Sequence, residues 1–221
     1  MEREVAIIQS WEANARNWIE SIEQKLLESR ILATNDAIVR SVLASKPTHV
    51  LDVGCGEGWL CEVLSSQGIL VTGVDAIPSL IQATKSKCKG TYLVATYEAI
   101  GKKQVIFEQQ FDVIICNFSL LGKDSVAQLL PALLDWLKPN GKVIVQTLHP
   151  KSRSQDSVSG WKTGSWDGLG PNYTQAYEWY YRTMEDWMDL FNNSGYSTIK
   201  SQDIHHPITH NLLSIIYTLS R

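Results

Sequence analysis

The sequence is short of the features that would place it in several large protein classes. No apolar run approaches the ~20 residues needed to cross a bilayer, and the opening M-E-R-E-V-A has no apolar stretch of the signal-peptide kind. The four cysteines, Cys55, Cys61, Cys88 and Cys116, form no C-x-x-C pair. Zinc and disulfides are therefore not expected; free thiols in a reducing cytosol are, and with them a cytoplasmic location. Charge of one sign is also missing: 20 basic residues face 23 acidic ones, for a net charge of -3, and there is no basic run. That argues against a nucleic-acid partner, which needs many phosphate contacts. There is no G-x-x-x-x-G-K-[ST], so phosphoryl transfer on a P-loop is excluded, and there is no internal repeat.

What remains is an ordinary α/β composition, 44% hydrophobic and 19% charged, in 221 residues: one domain with a large core. Its centre is T-H-V-L-D-V-G-C-G-E-G-W-L, residues 48–60. Val50, Leu51 and Val53 form a short apolar strand that meets Gly54, Gly56 and Gly58 and then runs into a helix. Glycine accepts positive φ there and lets a ligand approach bare backbone. The amides at the following helix start are expected to point at whatever lies in the turn.

Around that turn, strands and helices alternate, which implies a parallel sheet with right-handed crossovers. Trp11, Ala15, Trp18, Ile22 and Leu26 mark a helix over residues 9–30. A second helix carries Ile38, Val39, Val42 and Leu43, with Thr34 or Asn35 as its cap. Further strands are expected at residues 69–74 (ending at Asp75), 91–95, 111–116 and 142–148, with helices at 60–67, from Pro78 to about Lys87, and from an Asp124 cap to Leu137, kinked or restarted at Pro131. Pro139-Asn140-Gly141 reads as a turn. Residues 150–178 show no sustained period and carry Trp161, Trp166 and Tyr173, as expected of an aromatic loop acting as a lid. A helix capped by Thr183 follows, with Met184, Trp187, Met188 and Phe191 on one face and Gly195 at its end. Residues 196–199 and 212–219 then pair antiparallel.

Spacing and charge narrow the ligand of the turn. A dinucleotide fingerprint needs G-x-G-x-x-G, and Trp59 stands where its third glycine belongs. An NAD-linked oxidoreductase is thus a distant alternative. Asp52 precedes the turn and Glu57 lies in it; carboxylates there would repel a pyrophosphate and favour an ammonium and a sulfonium. Asp75, at a strand end 21 residues beyond Gly54, is placed to accept hydrogen bonds from both hydroxyls of a ribose.

V-L-D-V-G-C-G-E-G-W-L, V-T-G-V-D-A, F-D-V-I-I-C-N-F-S-L and L-K-P-N-G-K-V-I-V-Q-T-L-H-P, in that order, resemble the successive motifs of class I S-adenosylmethionine-dependent methyltransferases. They are most similar to the small-molecule branch that includes the ubiquinone/menaquinone-biosynthesis type (methyltransferase type 11/12). The resemblance covers about residues 50–150, and W-E-A-N-A-R-N-W resembles that branch's cofactor-closing helix. It implies a Rossmann-like, doubly wound seven-stranded sheet of order 3-2-1-4-5-7-6 with strand 7 antiparallel. The implied layout of a single methyltransferase domain is an N-terminal helical lid at 1–46, a cofactor core at 47–149, a loop insertion at 150–178 and a C-terminal helix and strand pair at 179–221. S-adenosylmethionine would be the cofactor, S-adenosylhomocysteine the product, and a small molecule the acceptor. Gly54, Cys55 and Gly56 would pass the methionine part, with Asp52 near its amino group. Asp75 would bind the ribose, and Ala76 and Ile77 would flank the adenine. Thr96, Tyr97 and Glu98 occupy the place of an adenine-contacting acid. Asn117 and Phe118 would face the sulfonium, and N-F-S-L departs from the N-P-P-Y of enzymes that methylate nucleic-acid and glutamine amino groups.

Other residues carry two readings. His149, just past the fifth strand, is the first candidate for a general base, or a structural histidine before a proline. His205, His206 and His210 are metal ligands or a turn, the turn being preferred. Tyr173, Tyr177, Tyr180 and Tyr181 line an acceptor site or pack. Arg182 pairs with an acidic substrate or covers the sheet. Trp11 and Trp18 belong to the core or to the cofactor. Without a certain base, a binding or regulatory protein that keeps the fold without turnover is the alternative to the enzyme.

Overall fold

The computed structural model describes residues 2–152, 158–166, 169 and 172–221. Five parallel strands form the main sheet: β1 (His49–Val53), β2 (Leu70–Asp75), β3 (Thr91–Val94), β4 (Phe111–Asn117) and β5 (Leu137–Leu148). The sheet is completed by β8 (Thr198–His205) and β9 (Leu212–Ser220) in the order β3-β2-β1-β4-β5-β9-β8. β9 runs antiparallel to both of its neighbours, so the expected topology is present. Helices cover both faces, and residue alternation along a strand dictates which side chains they meet. Ile114 and Cys116 join a buried cluster with Leu129 and Leu133 of α6 (Asp124–Leu133) and Phe191 of α7 (Met184–Asn193). Val113 and Ile115 face the other way, with Ile38 and Val42 of α2 (Asn35–Leu43) and Leu60 and Leu64 of α3 (Trp59–Ser66). α4 (Pro78–Lys87) and the short α5 (Tyr97–Gly101) complete the crossovers.

Several expectations are corrected. The first helix, α1, spans Glu2–Glu23 rather than 9–30; Lys25 turns left-handed (φ 56) just after it. Neither Thr34 nor Asn35 caps α2. A π turn at Arg30–Thr34 leads into it with helical backbone, so no capping bond forms. Pro139-Asn140-Gly141 is not a free turn: β5 begins at Leu137, and its pairing slips between Phe111↔Leu137 and Val113↔Lys142, absorbing these residues as a bulge. Pro131 does not restart the helix: α6 continues through it to Leu133 and tightens into a 3-10 turn at Leu134–Trp136. The expected loop at 150–178 contains β6 (Gly160–Thr163), which pairs antiparallel with β7 (Glu178–Tyr181). Its residues 153–157, 167, 168, 170 and 171 lie outside the described residues. The Thr183 cap stands, its hydroxyl accepting the Asp186 N–H at 3.2 Å.

Asp124 does not cap α6. The Glu4 carboxylate of α1 does so from 120 residues away, accepting the N–H groups of Lys123 (2.8 Å), Asp124 (2.7 Å) and Ser125 (3.3 Å). Further along α1, Ser10 Oγ donates to the Gln175 carbonyl (2.6 Å), and Asn14 Oδ1 accepts the Thr174 N–H (2.8 Å). α1 is thereby fastened across the carboxyl ends of the parallel strands. Burial disfavours the Glu4 carboxylate, but the bonds from Ser125, Asp124 and Lys123 outweigh it and hold its pKa below the usual 4.5. A lowered folded pKa gives stability that is present above about 4.5 and lost as pH falls through the folded value. Glu4→Gln should therefore cost about 0.5–1 kcal/mol near neutral pH, as a lost capping bond does. The gap to the wild type should close in acid. Urea titrations at pH 7 and pH 4 measure this, and a gap of the same size at both would refute the capping role.

Candidate active site

β1 and β2 deliver the centre of the site together. At their ends the glycine turn takes left-handed conformations at Gly54 (φ 80), Gly56 (φ 58) and Gly58 (φ 87). Two of these glycines are also sterically required. A Cβ on Gly54 would lie 2.4 Å from Ser119 Cβ, and one on Gly58 2.5 Å from Thr84 Cγ2.

Four of the turn's own amides are engaged within the protein. Gly54 N–H and Cys55 N–H both donate to the Val74 carbonyl, at 2.7 and 3.0 Å, and Gly58 N–H donates to the Cys55 carbonyl. Gly56 N–H donates to Asp75 Oδ2 at 2.9 Å, and the other oxygen of that carboxylate takes the Ile77 N–H at 2.9 Å. An anion nest requires free amides, and these four are already engaged.

Carboxylates stand where such a nest would hold phosphate. Asp52 is 2% exposed and Glu57 1%. Burial pushes Asp52 up to about 7; the Cys61 thiol at 3.5 Å opposes this, while Asp75 and Glu57 add repulsion. Burial likewise raises Asp75 to about 6, against the pull of the Ile77 and Gly56 amides. Asp52 Oδ1, Glu57 Oε1 and Asn117 Oδ1 are buried acceptors with no hydrogen-bond partner among the described residues. Unpaired buried acceptors are costly, and hydrogen-bond donors on a ligand would satisfy them.

All the expected cofactor residues line one cavity of about 570 Å³: Asp52, Gly54, Cys55, Gly56, Asp75, Ala76, Ile77, Thr96, Tyr97, Glu98, Asn117, Phe118 and Trp11. That volume suits a cofactor-sized ligand. Thr96 also caps α5, accepting the Ala99 N–H, and Tyr97 Oη donates to the Ser119 carbonyl at 3.0 Å. Phe118 is held left-handed at φ 54, with its N–H on the Gln146 carbonyl. A bulky residue rarely adopts that conformation, which is found where a site requires it. His149 reaches the cavity wall but is 2% exposed, with both ring nitrogens engaged. Nδ1 accepts the Lys151 N–H at 3.0 Å, and Nε2 lies 3.2 Å from Asp203 Oδ1.

Trp18, which the sequence assigned to the core or the cofactor, and Arg30, which it left out of the site, both line the cavity. Trp18 Nε1 donates to Glu57 Oε2 at 2.9 Å. The Arg30 guanidinium lies over the rings of Trp18 (5.5 Å) and Trp59 (5.0 Å). Trp11 packs edge-on against Trp18 and Trp166, both at 5.1 Å, which joins α1 to the segment before β7. Arg30 follows the helical period of its neighbours, and nothing in the local pattern marks it. Tyr177, Tyr180, Tyr181 and Arg182 also line the cavity, whereas Tyr173 stacks on Trp166 at 4.9 Å. The histidines beyond β8 form a turn, with His206 Nδ1 accepting the N–H groups of Ile208 and Thr209. Among the described residues no group of His, Cys, Asp or Glu is arranged to hold a metal.

A family model described as "Methyltransferase domain" matches residues 24–201. This chain belongs to that methyltransferase domain family. Curated relatives of the methyltransferase domain include ubiquinone biosynthesis O-methyltransferases. The one from Bradyrhizobium diazoefficiens is 30% identical over 149 residues, 67% of this chain and 54% of that protein. The one from Rickettsia typhi is 35% identical over 106 residues, 46% of this chain and 41% of that protein. The chain spans about half the length of the curated relatives it matches. Among solved structures, the 1,6-didemethyltoxoflavin-N1-methyltransferase of Burkholderia thailandensis, with 1,6-didemethyltoxoflavin and S-adenosylhomocysteine bound, superposes with a TM-score of 0.69. It is 16% identical, and the match covers 99% of this chain and 88% of that one. An S-adenosylmethionine dependent methyltransferase from Mesorhizobium loti gives 0.64 at 18% identity, over 84% and 96%. At these identities the likeness shows the shared fold.

The glycine turn of the methyltransferase domain yields a direct test. Gly54→Ala places a methyl group against Ser119 at a left-handed position, so it should destabilise the fold by about 2–4 kcal/mol in chemical denaturation, the left-handed term plus overpacking. Gly68→Ala, with the same sign of φ (80) and open space around it, should cost about 1 kcal/mol, the left-handed term alone. Equal losses at the two positions would refute the close approach of Ser119.

Proposed function

We propose that this chain binds S-adenosylmethionine and transfers its methyl group to a small-molecule acceptor, leaving S-adenosylhomocysteine. The observation that carries this reading is the polarity of the glycine turn. Four of its amides are engaged within the protein, and carboxylates with unpartnered oxygens line the cavity beside it. Such a surface disfavours diphosphate and suits a ligand with an ammonium, ribose hydroxyls and a sulfonium. The names of the relatives, a ubiquinone biosynthesis O-methyltransferase and a 1,6-didemethyltoxoflavin-N1-methyltransferase, support a small acceptor. Four free thiols support a reducing, cytoplasmic setting, and no described helix is long and apolar enough to cross a membrane.

The fit can be followed group by group. Asp52 Oδ1, Glu57 Oε1 and Asn117 Oδ1 would take the ammonium protons that no protein donor supplies. Asp75 already accepts one amide on each oxygen, and its remaining lone pairs would take the ribose hydroxyls. Ala76 and Ile77 would flank the adenine, with Thr96, Tyr97 and Glu98 beyond. When bound, the cofactor supplies an electrophilic methyl carbon on a positively charged sulfur. The residues' own work is placement and exclusion of water, which in-line displacement needs most. Trp11, Trp166 and the left-handed Phe118 wall the space in which the acceptor must lie. His149, the sequence's candidate base, is proposed instead to hold position. The Lys151 N–H on Nδ1 puts the imidazole proton on Nε2, towards Asp203, so no free lone pair faces the acceptor. The acceptor would then bring an atom that is already ionised or easily ionised.

The pH dependence tests the electrostatic core of the proposal. Because Asp52 and Asp75 are raised to about 7 and about 6, their ionised forms, the ones that attract a cation, appear as pH rises through that window. Cofactor affinity measured by calorimetry should climb about tenfold or more between pH 5.5 and pH 8, with proton release on binding. Asp75→Ala should abolish the heat of binding at every pH. A flat profile, or undiminished binding by Asp75→Ala, would sink the reading. Incubating the protein with labelled cofactor and a metabolite extract separates turnover from mere binding.

A further inference from the structure

The cavity has a second pole of opposite sign, and the turn's acids do not account for it. Arg182, between β7 and the Thr183 cap of α7, is 5% exposed and lines the same cavity. Its guanidinium lies over the rings of Tyr180 and Trp187, each at 4.9 Å. Nη2 donates to the carbonyls of Gly122 (2.8 Å) and Lys123 (3.1 Å), while Nη1 is buried and has no hydrogen-bond partner among the described residues. Nor does any described carboxylate form an ion pair with it. The acids that act on it from a distance are Glu4, Asp186 and Asp124. Of these, Glu4 is committed to the amides that open α6, and Asp186 to the Ser159 hydroxyl. Lys123 adds a like charge nearby, its Nζ over the Tyr180 ring at 5.4 Å. Burial pulls the Arg182 guanidinium down to about 10, which still leaves it charged at neutral pH.

A buried cation without a contact anion is among the costlier arrangements in a protein, and an unpartnered guanidinium N–H makes a charge-assisted bond to a carboxylate. In the sheet order, Asp75 and Asp52 stand at the ends of β2 and β1, whereas Arg182 is tied to the chain just beyond β4. Trp11, Trp166, Tyr177 and Trp179 give the same cavity an aromatic wall. We propose that the methyl acceptor is a planar aromatic acid, with its ring against that wall and its carboxylate on Arg182 Nη1. This rests on the methyltransferase reading of the cavity and adds the chemical class of the acceptor. A cationic donor at one pole and an anionic acceptor at the other attract each other across the site.

The test uses benzoate and 2-naphthoate against their isosteric amides, benzamide and 2-naphthamide. Each is titrated by calorimetry into the full chain, with and without S-adenosylhomocysteine. Each acid should bind about tenfold or more tighter than its amide, as charge-assisted hydrogen bonds require. The preference should disappear in Arg182→Gln and be partly kept in Arg182→Lys. Equal affinity of acid and amide in the unaltered protein, or no binding of either acid up to about 10 mM, overturns the proposal whether or not the variants fold. Acid preference in a protein that takes no S-adenosylhomocysteine would keep the anion site and remove the methyltransferase reading. S-adenosylhomocysteine binding without acid preference would do the reverse.

Discussion

A single carboxylate organises the ligand-facing edge of the sheet. Asp75 ends β2 and accepts the amides of Gly56 and Ile77, so it stitches the β1 turn to the start of α4. The Val74 carbonyl beside it takes two more amides from the same turn. With those donors withdrawn, the carboxylates of Asp52, Glu57 and Asp75 line the cavity in place of these four amides. Everything nearby follows from that inversion. Asp52 and Glu57 are buried with no ion pair among the described residues, and Trp18 and Arg30 lean in from the N-terminal segment, Arg30 acting on Glu57 through its charge.

The same logic explains why α1 belongs to the site and not merely to the surface. Its early turn supplies the cap of α6, its middle bonds the segment before β7, and its two tryptophans meet the rings over the opening. Arg3 adds a bridge to Glu178 at 3.4 Å, an exposed pair worth little by itself. Together these contacts make the N-terminal helix a structural continuation of the roof formed by β6, β7 and the aromatic residues between them.

Much of this was legible in the sequence because short-range rules govern it. Alternating strand and helix signals, three closely spaced glycines and the Thr183 cap are local chemistry, and all are present in the fold. So is the clustering of Asp52 and Asp75, since both stand at the ends of adjacent parallel strands. What could not be read was set by distant partners. The cap of α6 comes from Glu4, more than a hundred residues away, so Asp124 looked like the cap when it was only the first helical residue. The direction of the turn's amides depends on the Val74 carbonyl, which belongs to another strand. Pro139-Asn140-Gly141 carried a true bending signal, which the sheet absorbed as a bulge because pairing resumes on both sides of it. His149 was placed correctly at the cavity wall, but its partners, Lys151 and Asp203, come from the next turn and from an edge strand.

Phe118 shows how such a site limits adaptation. Its left-handed backbone (φ 54) costs on the order of 1 kcal/mol, a cost that glycine at the same place would not carry. A population selected for heat tolerance alone would be drawn to replace it, and would lose an aromatic surface at the cavity in doing so. Hardening this fold and preserving its chemistry are opposed demands at that one residue.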